Sequence, residues 1–281
     1  ADVVAAAYRD ACRFDVIADK PGNVSIASAA HGMEATDFLR SARVSAMPLA
    51  ASARGVGSAV REAIAATWDA VGCNTNLGIV LLAAPLAQAV RRPLAGDLRT
   101  RLREVLAVLD VDDAVQAYAA IRQARPAGLG SAAEGDVAAV PAMSLRAAMA
   151  HAAERDRIAW NYVHDYADIF ELGVPTLRAA LARRTSLTAA VVATFLRLLA
   201  THPDTHIARK HGAARAGAVQ RRAVEVETAY EACEDAGARA SVVLAFDREL
   251  KHEGVNPGTT ADLTVTCLFA MNLAAALQDA R

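Results

Sequence analysis

The segment Asn256-Pro257-Gly258-Thr259-Thr260-Ala261-Asp262-Leu263 places a tight polar turn directly before an apolar helical run, Val265 to Leu277. Free backbone N–H groups at a helix start, with the helix dipole behind them, favour an anion. Asp262 adds a carboxylate to that first turn, so the segment suits a metal-bridged phosphate. A second reading stays open, in which Thr259 caps the helix and Asp262, three residues on, completes a capping box.

Other polar islands interrupt an otherwise apolar chain. In Lys20-Pro21-Gly22-Asn23-Val24-Ser25 a Pro-Gly turn could aim a backbone nest and an ammonium at phosphate, or could be an ordinary exposed turn. In His31 to Phe38, Thr36 is placed to cap a helix with Asp37 in its first turn. There Asp37 either binds a divalent cation or simply favours the dipole. Asn74-Thr75-Asn76-Leu77-Gly78 sets two amides and a hydroxyl before an apolar helix. Amides suit a sugar or a base edge, and Asn74 or Asn76 equally suits an N-cap.

Pro126-Ala127-Gly128-Leu129-Gly130, followed by Asp136-Val137, allows close ligand approach but matches no Walker or dinucleotide pattern. A flexible loop explains it equally. Arg155-Asp156-Arg157, with Asn161 and Tyr162, places Asp156 inside a helix, where a helical ion-pair network is the alternative to a site. In Pro203 to Gly212, a helix starting at Asp204 or Thr205 puts His206, Arg209 and Lys210 on one face. Three cationic or potentially cationic groups near a helix start oppose its dipole, a cost that often marks an anion site. A solvated basic face is the competing account.

The elements that must position these islands are helices. The 281-residue chain is 54% hydrophobic and only 5% aromatic, with alanine the commonest type. Periodicity predicts helices near 2–18, 36–51, 53–71, 77–92, 97–107, 110–124, 143–171, 174–183, 187–200, 205–235, 239–252 and 261–279. No alternating strand pattern appears. Pro and Gly fall mostly between helices, and 125–141 is the longest irregular connection. The expectation is one compact all-α domain of about 10–12 helices spanning 1–281. A net charge of −1 gives no case for nucleic acid. Four scattered cysteines (Cys12, Cys73, Cys233, Cys267) argue against a zinc knuckle or disulfide framework and fit buried thiols in a reducing compartment. The run Ile79 to Val90 is too short to span a bilayer, and no uninterrupted apolar segment reaches that length. The start, with Asp2, Arg9 and Asp10, is amphipathic rather than signal-like. The expectation is a cytoplasmic protein with no membrane partner, and a homodimer is possible without an identifiable interface.

Taken in order, Lys20-Pro21-Gly22, Asp37-Phe38 with Ser41-Ala42, Asn74-Thr75, Gly128-Leu129-Gly130 with Asp136-Val137, Arg155-Asp156, Asp204 with Lys210, and the NPGTTADL segment resemble the triphosphoribosyl-dephospho-CoA synthase family over nearly the whole chain. The resemblance implies an all-helical, ATP-using transferase that moves the triphosphoribosyl group of ATP onto dephospho-CoA and releases adenine. Such N-glycosyl transfer needs a clamped triphosphate, a base for the incoming hydroxyl and stabilisation of a cationic sugar. On that reading Asp37, Asp204 and Asp262 are the catalytic carboxylates and Mg²⁺ ligands. Lys20, His206, Arg209 and Lys210 neutralise phosphate, and Asn74, Thr75 and Asn76 orient ribose or adenine. Gly22, Asn23, Ser25, Arg155, Asp156, Asn256, Gly258, Thr259 and Thr260 complete the nucleotide site. The start at Lys20 to Ser25 and the Asn-Thr-Asn-Leu-Gly segment resemble a shorter branch of the family found in archaea and methylotrophs. That branch is associated with pterin- or furan-linked one-carbon cofactors, so another cofactor precursor is an alternative acceptor. A non-catalytic helical binding subunit is a further alternative.

Overall fold

The computed structural model describes residues 1–128, 136–183 and 185–279. Leu129 and Gly130 lie outside the described residues. The first half contains α1 (Asp2–Ile17), α2 (Ala35–Ala51), α3 (Val56–Val71), α4 (Leu77–Arg91), α5 (Leu98–Ala107) and α6 (Val111–Ala124). The second half contains α7 (Leu145–Ala152), α8 (Arg157–Val163), a π-helical turn at Asp168–Gly173, α9 (Val174–Ala182), α10 (Leu187–Thr201), α11 (Thr205–His211), α12 (Ala213–Ala232), α13 (Ala236–His252) and α14 (Gly258–Asp279). No β-strand occurs among the described residues, and the all-α expectation holds.

Two helices form the axis of the core. α4 is apolar on every face and buried from Leu77 to Ala89. α14 packs against α1, α4 and α10. Its threonines enter the core because their hydroxyls bond back to carbonyls four residues earlier, Thr264 to Thr260 and Thr266 to Asp262, each at 2.7 Å. Proline 85 sits inside α4 and cannot donate to the Leu81 carbonyl. The Tyr162 hydroxyl supplies the missing bond to that carbonyl at 2.6 Å, and Tyr166 donates to the next one, Leu82, at 3.0 Å. The side chains that repair the proline defect thereby dock α8 and its following turn onto the core.

Four expectations need correction. The long helix predicted over 143–171 breaks twice. Asp156 is the N-cap of α8 rather than an interior residue, accepting from Ile158 N and Ala159 N. Asp165 and Tyr166 then adopt left-handed backbone at φ 50 and 56, which turns Tyr166 toward α4. The helix predicted over 205–235 breaks at Gly212, whose φ of 89 no L-residue adopts comfortably. α2 is capped by Glu34, not Thr36, and Asp37 completes its capping box. α14 is also long and apolar enough to cross a membrane, contrary to the expectation, although most of its apolar side chains are buried in this fold.

Candidate active site

A cavity of about 380 Å³ opens where the end of α1, the starts of α4, α8 and α14, and the turn after α6 converge. Eleven of the expected site residues line it: Asn23, Asn74, Thr75, Asn76, Arg155, Asp156, His206, Arg209, Asn256, Gly258 and Asp262. Lys20, Gly22, Ser25, Asp37, Asp204, Lys210, Thr259 and Thr260 do not. Phe38, Ile121 and Met149 provide an apolar side.

Most residues outside the lining have an identifiable occupation. Gly22 brings the first island against the last: a Cβ there would sit 2.8 Å from Pro257 Cδ and 2.9 Å from the Val255 carbonyl. Its N–H donates to Asp247 at 2.9 Å. The buried ammonium of Lys20 pairs with Asp15 at 2.9 Å and donates to the Asp15 carbonyl, so it faces a carboxylate and not an open anion site. Asp37 accepts from Glu34 N at 3.0 Å in the cap of α2. Lys210 is exposed to solvent.

Asp204 joins two helix starts. Its Oδ1 accepts from Ile207 N at 2.9 Å, capping α11. Its Oδ2 accepts from the Thr260 N–H and hydroxyl, both at 2.7 Å, in the first turn of α14. The anion expected at the start of α14 is thus supplied by the protein itself. Thr259 is not a cap; its Oγ1 accepts from Thr205 Oγ1 and His206 N, each at 3.1 Å, which locks α11 onto α14. Burial pushes the Asp204 carboxyl above the usual range, opposed by the bonds from Ile207 and Thr260.

The metal triad expected from Asp37, Asp204 and Asp262 does not assemble. Among the described residues no three His, Cys, Asp or Glu side chains are placed to hold a metal. Asp262 instead faces the cavity beside a carboxylate that the sequence reading missed, Asp15. No hydrogen-bond donor among the described residues reaches the Asp262 side chain, and it lies against Gly78, where any Cβ would overlap its carboxylate. Burial, then repulsion from Asp15 and Asp204, raises Asp262 well above the ordinary carboxylate range; Arg209 opposes the rise and Asp156 adds to it.

The amide wall has a defined polarity. Ser45 Oγ donates to the Ser41 carbonyl at 2.7 Å, so toward Asn76 it can only accept. The Asn76 Nδ2 therefore points at Ser45, 3.2 Å away, and at the Tyr8 hydroxyl, 3.4 Å away. Its Oδ1 has no partner among the described residues, nor has that of Asn256. Such buried acceptors call for a donor from a ligand or water. Thr75 is held by Ser41 at 2.6 Å, and Asn74 Oδ1 takes Leu77 N at 3.1 Å at the start of α4.

On the basic wall, Arg209 donates to Asp156 Oδ2 at 2.7 Å and keeps a buried Nε unbonded. Gly128, at φ 72, lets the turn after α6 approach the Arg209 backbone to a distance no side chain would permit. His206 is pushed down to about 4 by burial, then by Arg209, Lys210, His31 and His211, so its imidazole is neutral at pH 7. Of the basic face expected on α11, only Arg209 brings charge to the cavity.

None of the curated proteins compared with the chain matches it. A crystal structure from Archaeoglobus fulgidus, of a candidate triphosphoribosyl-dephospho-CoA synthase, shares the fold at a TM-score of 0.59 and 24% identity, covering 85% of this chain and 97% of that one. The family model for ATP:dephospho-CoA triphosphoribosyl transferase (CitG) matches residues 1–280. With the helical fold and the cavity in place, that match over nearly every residue shows that the chain belongs to the ATP:dephospho-CoA triphosphoribosyl transferase family.

Proposed function

We propose that the cavity between α1, α4, α8 and α14 is where this transferase moves the triphosphoribosyl group of ATP to dephospho-CoA with release of adenine. The observation that carries this reading is the composition of one cavity. Two arginines, Arg155 and Arg209, meet four carboxylates, Asp15, Asp136, Asp156 and Asp262, and two amide acceptors without a partner among the described residues, Asn76 and Asn256. Arginine suits the triphosphate, because its fork matches phosphate oxygens. The amide oxygens suit ribose hydroxyls or an exocyclic amine, both donors. The carboxylates suit the cationic sugar that forms as the N-glycosidic bond lengthens. The apolar side from Phe38, Ile121 and Met149 offers a surface for a purine ring.

Mg²⁺ is assigned to the substrate, as MgATP. Triphosphate oxygens and water supply most of its six ligands, and no dedicated three-carboxylate cage is required. The match across residues 1–280 supports treating the chain as one functional unit. Neither the one-carbon cofactor alternative nor the non-catalytic subunit draws support from the family or the cavity.

The reading is tested by incubating the protein with MgATP and dephospho-CoA and measuring free adenine. Adenine release that requires both substrates is the expected result. Release unaltered by Arg209→Ala and Asn76→Ala would place the reaction elsewhere on the protein.

A further inference from the structure

N-glycosyl transfer poses two proton problems, and this inference rests on the cavity reading above. A purine anion is a poor leaving group and must take a proton as its bond to the sugar breaks. The acceptor hydroxyl must lose a proton as its oxygen bonds to the anomeric carbon. Two carboxylates in unlike surroundings can divide that work, one as acid and one as base.

Asp15 and Asp262 line the same cavity in unlike surroundings. Asp15 is paired with Lys20 at 2.9 Å, and the Lys20 side chain has no exposure to solvent. That ion pair gives Asp15 a fixed cationic neighbour. Asp262 has no such partner. Asp15, Asp204 and Asp156 repel its charged form, and Arg209, which favours that form, is already bound to Asp156 at 2.7 Å. Against the bare backbone of Gly78, with no N–H or O–H donating to it, the neutral carboxylic acid is the favoured form.

We propose that Asp262 is the catalytic acid that protonates the departing adenine, and that Asp15, paired with Lys20, is the base that accepts the proton of the acceptor hydroxyl. The bond between the ribose anomeric carbon and the purine nitrogen breaks, and its electron pair passes to the purine while Asp262 gives a proton to a ring nitrogen. The new bond forms from the dephospho-CoA sugar oxygen to that carbon, and the hydroxyl proton passes to Asp15. One proton enters the leaving group and one leaves the nucleophile. Passage of the proton from Asp15 back to Asp262 through solvent restores the starting state. A weak base is enough, because the hydroxyl becomes acidic only as its oxygen joins a cationic carbon. Lys20 is a positioning residue in this scheme and touches no substrate.

The test compares ATP with N7-methylated ATP, whose purine departs as a neutral base without needing a proton. Asp262→Asn should slow adenine release from ATP by about 10³-fold, within the range for loss of a general acid, and should come within about tenfold of wild type with the methylated nucleotide. Asp15→Asn should be impaired with both nucleotides. Equal impairment of Asp262→Asn with both nucleotides overturns the acid assignment, and rescue of Asp15→Asn by methylation reverses the two roles. Lys20→Gln should lower kcat with KM for ATP nearly unchanged, and Lys20→Arg should restore kcat. A raised KM with normal kcat would make Lys20 a phosphate ligand and overturn its part. Wild-type protein that releases no purine from ATP would instead defeat the underlying reading of the cavity, so the two failures are distinguishable.

Discussion

Asp168 and Asp262 are two inward-facing carboxylates in adjoining parts of the molecule, and their surroundings could hardly differ more. Asp168, in the π-helical turn, accepts two bonds from Arg157 at 2.7 Å each and one from Asn161 at 2.9 Å. His202 Nε2 lies 3.2 Å away, and the Arg157 guanidinium stacks 3.6 Å above the Trp160 ring. Burial alone would raise the Asp168 carboxyl, but bonds from His202, Arg157 and Asn161 and the arginine charge carry it well below the usual range. Asp262 receives no donor among the described residues and is driven the other way. The sequence invests a full set of partners in one carboxylate and none in the other. The first contributes to stability, and the second has the environment of the reactive carboxyl proposed above.

Replacing each carboxylate by its amide should separate the two roles. The largest effect on the fold is expected for Asp168→Asn, which leaves the Arg157 guanidinium without its partner. A loss of about 3 kcal/mol in denaturant unfolding is expected, from the cost of breaking a buried ion pair. The pH dependence should differ as well. A carboxyl depressed in the folded state contributes stability above its unfolded value and loses it as pH falls toward the folded value. Wild-type stability should therefore decline below about pH 4, and more steeply than that of Asp168→Asn. For Asp262, raised in the fold, the sign is opposite: its contribution is complete below the unfolded value and disappears as pH rises. The charged groups around it, Asp15, Asp204, Asp156 and Arg209, remain in the variant, so Asp262→Asn should match or exceed wild-type stability at neutral and alkaline pH.

Asp204 falls between these extremes, as a fully engaged carboxylate beside the cavity. Asp204→Ala removes the α11 cap and the tie to Thr260 together, for an expected loss of about 2 kcal/mol by thermal unfolding. A loss of activity with no change in stability would restore it to the catalytic set. The smallest effect is expected for Tyr162→Phe, which strands the Leu81 carbonyl opposite Pro85 and should cost about 1 kcal/mol in denaturant unfolding.

Much of this arrangement was legible in the residues. The helical fold follows from composition and from apolar runs of helix length, of which α4 and α14 are the clearest. The islands at Asn74 to Gly78, Arg155-Asp156 and Asn256 to Asp262 do meet at one cavity. The expected residues that lie outside the cavity lining share a cause: a carboxylate or lysine beside a turn has the same sequence signature whether it faces a ligand or a neighbouring helix. Asp204 and Lys20 satisfy partners 56 and 5 residues away, which no local pattern reveals. Asp15 was readable in principle. With Tyr8 and Cys12 it continues the buried stripe of α1, and a carboxylate on a buried helical face is the signal that was passed over. The polarity of Asn76 was not readable, because it depends on where Ser45 spends its single proton.

The central claim is that Asp262 is kept without partners for chemistry and contributes nothing to the fold that an amide would not. Parallel measurement of adenine release from MgATP with dephospho-CoA and of thermal stability, for wild type and Asp262→Asn at pH 7, tests it directly. The account predicts that release falls by about 10³-fold while the melting temperature stays level or rises. Near-wild-type release, or a collapse of stability that accompanies the loss, would contradict it.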